Sequence, residues 1–278
     1  MSEKMTDQEL KDKLIKQTEV AEIKKNDFPT EIIDLPSRGL IYPKSSPLSQ
    51  GQVEMKYMTA KEEDILASQT LIQKGIVLDK LFQALIIGNG EGQTINYGEL
   101  LTGDKDAVMV AARVLGYGKD YSVSITDPFS NEEQQVNIDL TKLENKWIDE
   151  SIIEELGKNE FTFTLPTSKR EIKFKLPNHS QERKIEKELK SRKKMATDKS
   201  IDRTLSTRIK HMILSVDGEE DRNKISSFVM DQMLAVDSRA LRLHIEKVLP
   251  GVNLKFNFVS DETGDEQEIP IPINLQFF

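Results

Sequence analysis

The sequence predicts an α+β protein with a helical N-terminal domain, a small sheet of antiparallel β-hairpins, and a C-terminal helical bundle that ends in a further β-hairpin. Two observations carry this prediction. Apolar residues recur at helical spacing over 59–115 and 201–249, and between these stretches they alternate with polar residues on both sides of turns. A chain of 278 residues can bury a sizeable core and suggests two domains or one large one.

These patterns divide the chain into five segments. The boundaries fall where the apolar spacing changes or where proline and glycine interrupt it. The stretch 33–43, called the strap below, lies near the start of the second segment. The segments are a flexible leader (1–30), a helical domain with the proline-bracketed strap (31–120), a hairpin region with a helix around Trp147 (121–177), a helical bundle (178–251), and a C-terminal hairpin with an apolar tail (252–278).

The leader is rich in charged residues and Gln, with only scattered apolar positions such as Leu10, Leu14 and Ile15. Their spacing allows a short helix, but isolated short helices are marginal in water. We expect the leader to be disordered by itself, and folding on a partner is the open alternative.

The strap has neither helical nor strand periodicity. Pro36 and Pro43 fix φ and remove two backbone donors, and Gly39 can take a positive φ. The strap is nevertheless strongly apolar, so we expect it to lie against another surface. It is either an anchored loop that enters the domain or a contact arm that docks on a neighbouring subunit through Arg38 and Tyr42.

The N-terminal domain then begins with a strand at 53–57, where apolar and polar residues alternate. Thr59 and Glu62 have the spacing of a capping box, in which the two side chains satisfy free N–H groups at a helix start. Glycines provide the stops for the helices that follow. The predicted helices are 59–74, 77–87 and 104–115, ended by Gly75, Gly88 and Gly116.

Two hairpins are predicted in the next segment, one over 123–140 and one over 161–176. Because small hairpins are not stable separately, we expect them to pair into one antiparallel sheet. A helix is expected to cover that sheet. Its apolar positions are Leu143, Trp147, Ile148, Ile152 and Leu156.

The C-terminal third returns to helical spacing and ends in alternating residues around an acidic turn at 261–268. Pro270 and Pro272 deny the last strand two donors, so that strand can lie only at a sheet edge. Leu275, with the two phenylalanines that end the chain, is too apolar to be left in water without a reason. The predicted helices are 182–194, 201–216, 222–234 and 238–249.

Composition excludes several functions. The absence of cysteine excludes disulfides, thiol chemistry and zinc sites of the cysteine type. A net charge of −8 gives no global attraction to nucleic acid or anionic membrane. The first residues lack an apolar signal region, and no run approaches the roughly 18 apolar residues of a membrane span. We therefore expect a protein made and used in cytoplasm, without membrane contact of its own.

No catalytic constellation is predicted. The three histidines, His179, His211 and His244, lie far apart and have no carboxylate cluster at metal-ligand spacing around them. The glycine-rich stretches 88–92 and 116–119 lack the preceding strand and following Gly-Lys-Ser/Thr of a phosphate loop. We expect no catalytic residue, no cofactor and no metal.

Charge is the more informative feature. Seven bases lie between Arg183 and Lys194 against two acids, which makes this segment strongly positive in an acidic protein. It is a solvated helix, a docking site for an acidic protein surface, or a nucleic-acid contact. The segment has no interleaved aromatic residues, which single-stranded nucleic acid would need for stacking. The acidic turn at 261–268 is a suitable complement on another copy or another subunit.

Several short motifs carry a family resemblance by their order and spacing. In that order, they resemble the baseplate hub and hub-assembly proteins of T-even-type contractile-tailed bacteriophages. The resemblance is strongest over 33–143 and continues in patches after it. The motifs are LPSRGLIYP (35–43), GQVEMKYMTAKEEDIL (51–66), GIVLDKL (75–81), LLTGDK (100–105), RVLGYGKDY (113–121), SVDG (215–218) and DSRALR (237–242).

The resemblance implies a structural or assembly protein of the baseplate hub in the phage tail, assembled in the host cytoplasm. It implies other baseplate and hub proteins as partners and leaves self-association open. Two alternatives remain: a transient hub-assembly chaperone that is absent from the mature virion, and a nucleic-acid-binding module that uses 183–194. An enzyme and a nucleic-acid partner are both disfavoured.

The expected partner contacts come from side-chain type, because the resemblance supplies no site residues. Aromatic, arginine and apolar side chains on exposed segments are typical anchors of protein interfaces. The candidates are Pro36, Arg38, Tyr42, Pro43, Arg183, Lys187, Lys190, Lys194, Ile271, Phe277 and Phe278.

Overall fold

The computed structural model describes residues 29–195, 202–273 and 277–278, so all but the last two residues of the predicted leader lie outside it. Within these residues the chain forms eight α-helices and five small antiparallel sheets, which confirms the predicted α+β class. The helices are α1 (Ala60–Ala67), α2 (Gln69–Lys74), α3 (Val77–Leu85), α4 (Thr102–Tyr117), α5 (His179–Met195), α6 (Thr204–Met212), α7 (Arg222–Ser227) and α8 (Ala235–Val248). The strands are β1 (Thr30–Asp34), β2 (Gln52–Lys56), β3 (Ile86–Gly88), β4 (Asp120–Thr126), β5 (Glu133–Asp139), β6 (Asn145–Lys146), β7 (Phe161–Thr164), β8 (Glu171–Phe174), β9 (Ile213–Val216), β10 (Gly251–Val252), β11 (Lys255–Val259) and β12 (Glu266–Pro270).

The N-terminal sheet joins the chain on both sides of the strap. β1 and β2 pair antiparallel with Ile33 opposite Val53, and β3 adds to the other side of β2. β2 confirms the strand predicted from alternation at 53–57. The sequence pattern does not predict β1, which begins at Thr30 and ends at Asp34. The first residues of the strap are therefore an edge strand, and only the remainder is a loop.

Local helix signals correspond well to the helices of the N-terminal domain. The N–H and hydroxyl groups of Thr59 donate to the Glu62 carboxylate at 3.1 and 2.6 Å, which confirms the capping box. Gly75 closes α2 in the left-handed conformation, as predicted. Helix α4 runs past Gly116, its predicted stop, and Gly118 caps it instead.

The predicted helix around Trp147 is wrong. Residues 145–146 form β6, which pairs with β10, and a short 3-10 turn follows at Glu150–Ile152. One long-range and one local hydrogen bond compete with a helix here. The N–H of Ile148 donates to the Pro36 carbonyl at 3.0 Å, and the Asp149 carboxylate accepts from the N–H of Ser151 at 2.9 Å. Trp147 itself is exposed and covers no sheet.

The last residues of two predicted helices form β-strands in the structure. The apolar stripe after Val77 continues in sequence to the glycine at 88, but its last three residues are β3. The predicted helix that includes Ile209 likewise ends at Met212. Residues Ile213–Val216 form β9, which pairs antiparallel with β8. In both places pairing with a strand distant in sequence replaces the last helical turn, since apolar β-branched residues suit either structure.

The two predicted hairpins are confirmed as β4–β5 and β7–β8, but the expectation that they form one sheet is wrong. Among the residues that the structure describes, β4 and β5 pair only with each other, whereas β9 adds to β8 of the second hairpin. The C-terminal hairpin is confirmed as β11–β12, in which Phe256 lies opposite Ile269. Its strands make a separate two-stranded sheet.

The C-terminal helices pack on the β7–β8–β9 sheet rather than on each other alone. The His244 ring of α8 stacks on Phe163 of β7, with ring centroids 4.4 Å apart. Leu241 and Ile245 of α8 belong to the same hydrophobic core as Leu81 and Phe82 of α3. A second, smaller core lies between the β4–β5 hairpin and the C-terminal tail. The division into five segments stays a prediction.

Candidate interaction surfaces

The strap is fixed to the start of α4 by a buried hydrogen-bond network. The Asp104 carboxylate accepts from the Ser37 N–H at 2.8 Å, the Ser37 hydroxyl at 2.7 Å and the Tyr42 hydroxyl at 2.7 Å. The Tyr42 oxygen accepts in turn from the N–H of Leu101 at 2.8 Å. Burial raises the pKa of Asp104, and the bonds from Ser37 and Tyr42 oppose that shift. Each buried polar group of this network therefore has a hydrogen-bond partner within the chain.

The turn at the middle of the strap exposes one side chain. Arg38 and Gly39 both have positive φ, at 54° and 74°. A Cβ on Gly39 would lie 2.3 Å from the Ser49 carbonyl oxygen, so this position requires glycine. The Arg38 side chain is half exposed and forms a 2.7 Å ion pair with Glu150. The strap therefore presents an arginine on a backbone that close contacts hold in place.

We revise the predicted contact set of the strap accordingly. Pro36 and Tyr42 are buried, so their side chains contact this chain and are not available to a partner in this arrangement. Arg38 and Pro43 are exposed, and their role in partner contact stays a prediction. The apolar character of the strap is explained by its packing into the main core through Ile41.

One face of the basic helix α5 is held against α6. Ile185 is buried, and Glu182 receives a 2.9 Å bond from Arg208. Glu188 accepts from Lys210 at 2.5 Å and is bonded to His211 at 2.6 Å. Burial alone would raise the pKa of Glu188, but the bonds from its basic partners lower it to about 2. These contacts determine which face of α5 is turned to solvent.

The opposite face of α5 carries Arg183, Lys187, Lys190 and Lys194, a set called the basic stripe below. Their spacing of four, three and four residues places them in one line along the helix, facing away from Ile185. The three lysines are exposed and form no ion pair with any described residue. The four predicted contacts of this helix thus form one surface, whose role stays a prediction.

The C-terminal tail packs into the chain. The ring of Phe277 is almost fully buried, and it meets Tyr121 edge to face with centroids 5.0 Å apart. The hydroxyl of Tyr121 donates to the Pro272 carbonyl at 2.9 Å. Phe278 is half buried, 6.2 Å from the ring of Phe82 in the main core. The tail therefore connects the two cores.

The predicted tail contacts require a correction as well. Ile271 and Phe277 are buried in the second core, so they are not available to a partner in this arrangement. The expectation that Phe277 would not be left in water is confirmed, but the residues that cover it belong to the β4–β5 hairpin of the same chain. Leu275 lies outside the described residues. Of the three predicted tail contacts, Ile271, Phe277 and Phe278, only Phe278 is partly exposed.

The turns of β4–β5 and β11–β12 are fixed side by side. The Gln134 side chain donates to the Val259 carbonyl and accepts from the N–H of Asp261, both at 2.9 Å. The Ser260 hydroxyl donates to Asp127, whose carboxylate also accepts from the N–H of Phe129 at 2.7 Å. Burial opposes ionisation of Asp127, but these bonds hold its pKa below the ordinary value.

This pairing of turns creates an acidic surface, and the amino-acid sequence indicates only part of it. The turn at 261–268 stands out by composition, whereas no periodicity shows that Glu132 of the other hairpin lies at the same end of the molecule. The surface, called the acidic tip below, consists of Glu132, Asp261, Glu262 and Asp265. All four are exposed and form no ion pair within the described part of the chain.

The histidines are as separate in the structure as in the sequence. His179 is buried beside Tyr97 and Asp79, His211 bonds to Glu188, and His244 stacks on Phe163 of β7. Among residues 29–195, 202–273 and 277–278, no group of three or more His, Asp or Glu side chains is arranged to hold a metal. No helix in the same ranges is long and apolar enough to cross a bilayer.

Comparison with known proteins gives one finding. A family model described as T4 bacteriophage base plate protein matches residues 40–278. The matched range includes the last four residues of the strap (40–43), the basic stripe, the acidic tip and the tail, whereas Arg38 lies before it. Searches among curated proteins and among solved structures gave no significant match.

Proposed function

The chain belongs to the T4 bacteriophage base plate protein family, and on that premise we propose that it is a structural component of the baseplate hub. It acts through contacts with other baseplate proteins, and no catalytic turnover is involved. The family match over 40–278 is the observation that carries this proposal, because it includes the second core, every buried residue of the main core except Leu35, the basic stripe and the acidic tip.

The strap supports a role in contact. Its hydrogen bonds to Asp104 leave little conformational freedom to lose when a partner binds, and such preorganisation favours affinity. Arginine is enriched among the residues that dominate binding energy. Arg38 is held outward on this fixed turn with Pro43 exposed at its end. We therefore assign these two residues to a contact with a neighbouring baseplate subunit.

The proposal has one alternative within the same family. The chain could be required only while the hub forms, as an assembly chaperone that leaves before the virion is complete. We favour the permanent subunit, assembled in the host cytoplasm and retained in the tail.

Complementation tests the role in assembly. Phage that lacks the gene for this chain is grown in cells that supply the wild-type chain, Arg38→Gln, or Lys61→Gln, and baseplates and tails are separated by sedimentation. Lys61 is an exposed lysine of α1 and serves as the control. The proposal predicts no completed baseplates without the chain, fewer with Arg38→Gln, and wild-type amounts with Lys61→Gln.

Two outcomes would overturn the proposal in different ways. Normal tails without the chain would remove the role in the baseplate altogether. Equal assembly with Arg38→Gln and Lys61→Gln would leave the baseplate role intact but remove the strap as its contact surface. The Arg38–Glu150 ion pair is exposed and contributes little to folding, so loss of assembly would not reflect loss of the fold.

A further inference from the structure

We propose that the acidic tip of one copy of this chain docks on the basic stripe of another, so that copies associate head to tail. The occupant of the basic stripe is thus a second copy. The inference goes beyond the proposed function and does not depend on it, because it concerns the purified chain alone. Four observations carry it.

The basic stripe is a fixed row of charge. The bonds of Glu182 and Glu188 to α6 determine the rotation of α5, so Lys187, Lys190 and Lys194 face solvent together. Successive members lie about 5–6 Å apart along the helix, given its rise of 1.5 Å per residue. No ion pair within the described residues neutralises these lysines. A row of unpaired charge of one sign attracts a surface of the opposite sign.

The acidic tip is an equally fixed row of the opposite charge. The paired bonds of Gln134 hold the two turns together, so Glu132 lies at the same end as Asp261, Glu262 and Asp265. None of these carboxylates forms an ion pair with a described residue. The tip is therefore preformed, and docking does not require the turns to be ordered first.

Apolar contact is available beside the charges. Phe129 and Val259 are exposed at the two turns, next to the acidic residues. Lysine side chains carry apolar stems that can pack on such residues while their ammonium groups remain near carboxylates. Exposed ion pairs alone contribute little, so this additional contact matters for a measurable affinity.

The charge balance favours a second copy over nucleic acid. A chain with a net charge of −8 repels polyanions as a whole, whereas another copy presents the acidic tip at a defined place. Residues 182–194 also contain no aromatic side chain on which a base could stack. No ion pair between described residues joins the tip and the stripe of one chain, so within that part of the chain neither surface neutralises the other. Pairing of two different surfaces leaves one of each at the ends, which produces rings or open chains.

The test is analytical ultracentrifugation of the purified full chain and of charge-reversed variants. One variant reverses the stripe (Lys187→Glu, Lys190→Glu and Lys194→Glu) and another reverses the tip (Asp261→Lys, Glu262→Lys and Asp265→Lys). A matched control reverses three exposed lysines of other helices (Lys61→Glu, Lys74→Glu and Lys80→Glu) and has the same change of net charge as the stripe variant.

We expect the wild-type chain to associate at about 20 mM salt and to dissociate at about 500 mM, where exposed charges are screened. Either reversal should weaken association by about tenfold or more, and the control should not. A mixture of the stripe-reversed and tip-reversed chains should associate again, because each surface then finds its opposite charge.

Three results would overturn the inference. The first is a wild-type chain that stays monomeric at low salt. The second is a mixture of the two reversed chains that fails to associate although each remains folded by circular dichroism. The third is association that survives both reversals while a DNA or RNA duplex binds the wild-type stripe, which would assign the stripe to nucleic acid.

Discussion

Tyr42 donates its hydroxyl proton to the buried carboxylate of Asp104 at 2.7 Å, across 62 residues of sequence. The same hydroxyl accepts from the N–H of Leu101, so one oxygen connects the end of the strap to the first turn of α4. The strap is therefore part of the folded core around α4, and that connection fixes the positions of its exposed residues.

Replacing Tyr42 with Phe should destabilise the chain by about 1–3 kcal/mol, because the buried N–H of Leu101 loses its acceptor and the Asp104 carboxylate loses a donor. Tyr57→Phe is the matched control, since its hydroxyl bonds to Glu31 at the surface. Urea unfolding of both variants measures the difference. Equal effects of the two substitutions would show that the buried network does not hold the strap.

Phe277→Ala should cost about 3–5 kcal/mol, the usual range for removing a buried phenylalanine. The loss is expected because the ring packs edge to face on Tyr121 within the second core. Phe129→Ala at an exposed turn is the control and should change the free energy of unfolding little. If Phe277→Ala proves as mild as Phe129→Ala, the tail is not part of the core, and its assignment to partner contact would stand again.

Glu188 should make part of the stability depend on pH. Burial by itself would raise the pKa of Glu188. The bonds from its basic partners have the larger effect and lower the pKa from the ordinary 4.5 to about 2 in the folded chain. Its contribution is therefore present above pH 4.5 and is lost as the pH falls towards 2. Glu188→Gln should lower the free energy of unfolding at pH 7 by about 1–2 kcal/mol and weaken this acid-dependent loss.

The control for that prediction is Glu186→Gln, which removes only a surface ion pair with Arg183. Urea unfolding from pH 7 down to about pH 2 compares the three proteins over the range in which carboxylates take up protons. Identical pH profiles for Glu188→Gln and the wild-type chain would contradict the network assigned to α6.

Asp106 should make stability depend on pH in the opposite direction to Glu188. Burial raises its pKa to about 6, Lys105 opposes the shift, and Asp104 adds to it. The folded chain therefore loses stability as the pH rises from 3.8 to about 6. Asp106→Asn should stabilise the chain at pH 7 by about 1–2 kcal/mol, and the gain should disappear below pH 4.

The control substitution for this prediction is Asp64→Asn, at an exposed position of α1. Free energies of unfolding at pH 4 and pH 7 suffice for the comparison. A gain with Asp106→Asn that is the same at both pH values, or no gain at all, would show that the carboxylate is not penalised by burial in the folded chain.

Local signals in the sequence were sufficient for the elements that local chemistry determines. The capping box of Thr59 and Glu62 and the glycine cap at Gly75 depend on neighbours within one turn, and both are confirmed. The hairpins β4–β5, β7–β8 and β11–β12 are likewise confirmed, since turn residues and alternation lie close together in sequence.

Features that depend on distant partners could not be predicted. Nothing near Asp104 indicates that Ser37 and Tyr42 will cover it, so it resembles an ordinary acid in the first turn of a helix. Trp147 lies in an apolar pattern of helical spacing, but pairing of β6 with β10 prevents the helix. The basic stripe follows from helical geometry alone, whereas the acidic tip depends on contacts between two hairpins far apart in the chain.

The proposed permanent role in the baseplate can be measured by quantitative mass spectrometry of purified virions of the phage that encodes the chain, beside its baseplate assembly intermediates. Isotope-labelled peptides from residues 29–195 give the number of copies of the chain per particle. A permanent subunit is expected at a fixed ratio to other baseplate proteins in both samples, and the ratio should survive high-salt washing. Absence of the chain from virions that carry complete tails would contradict it.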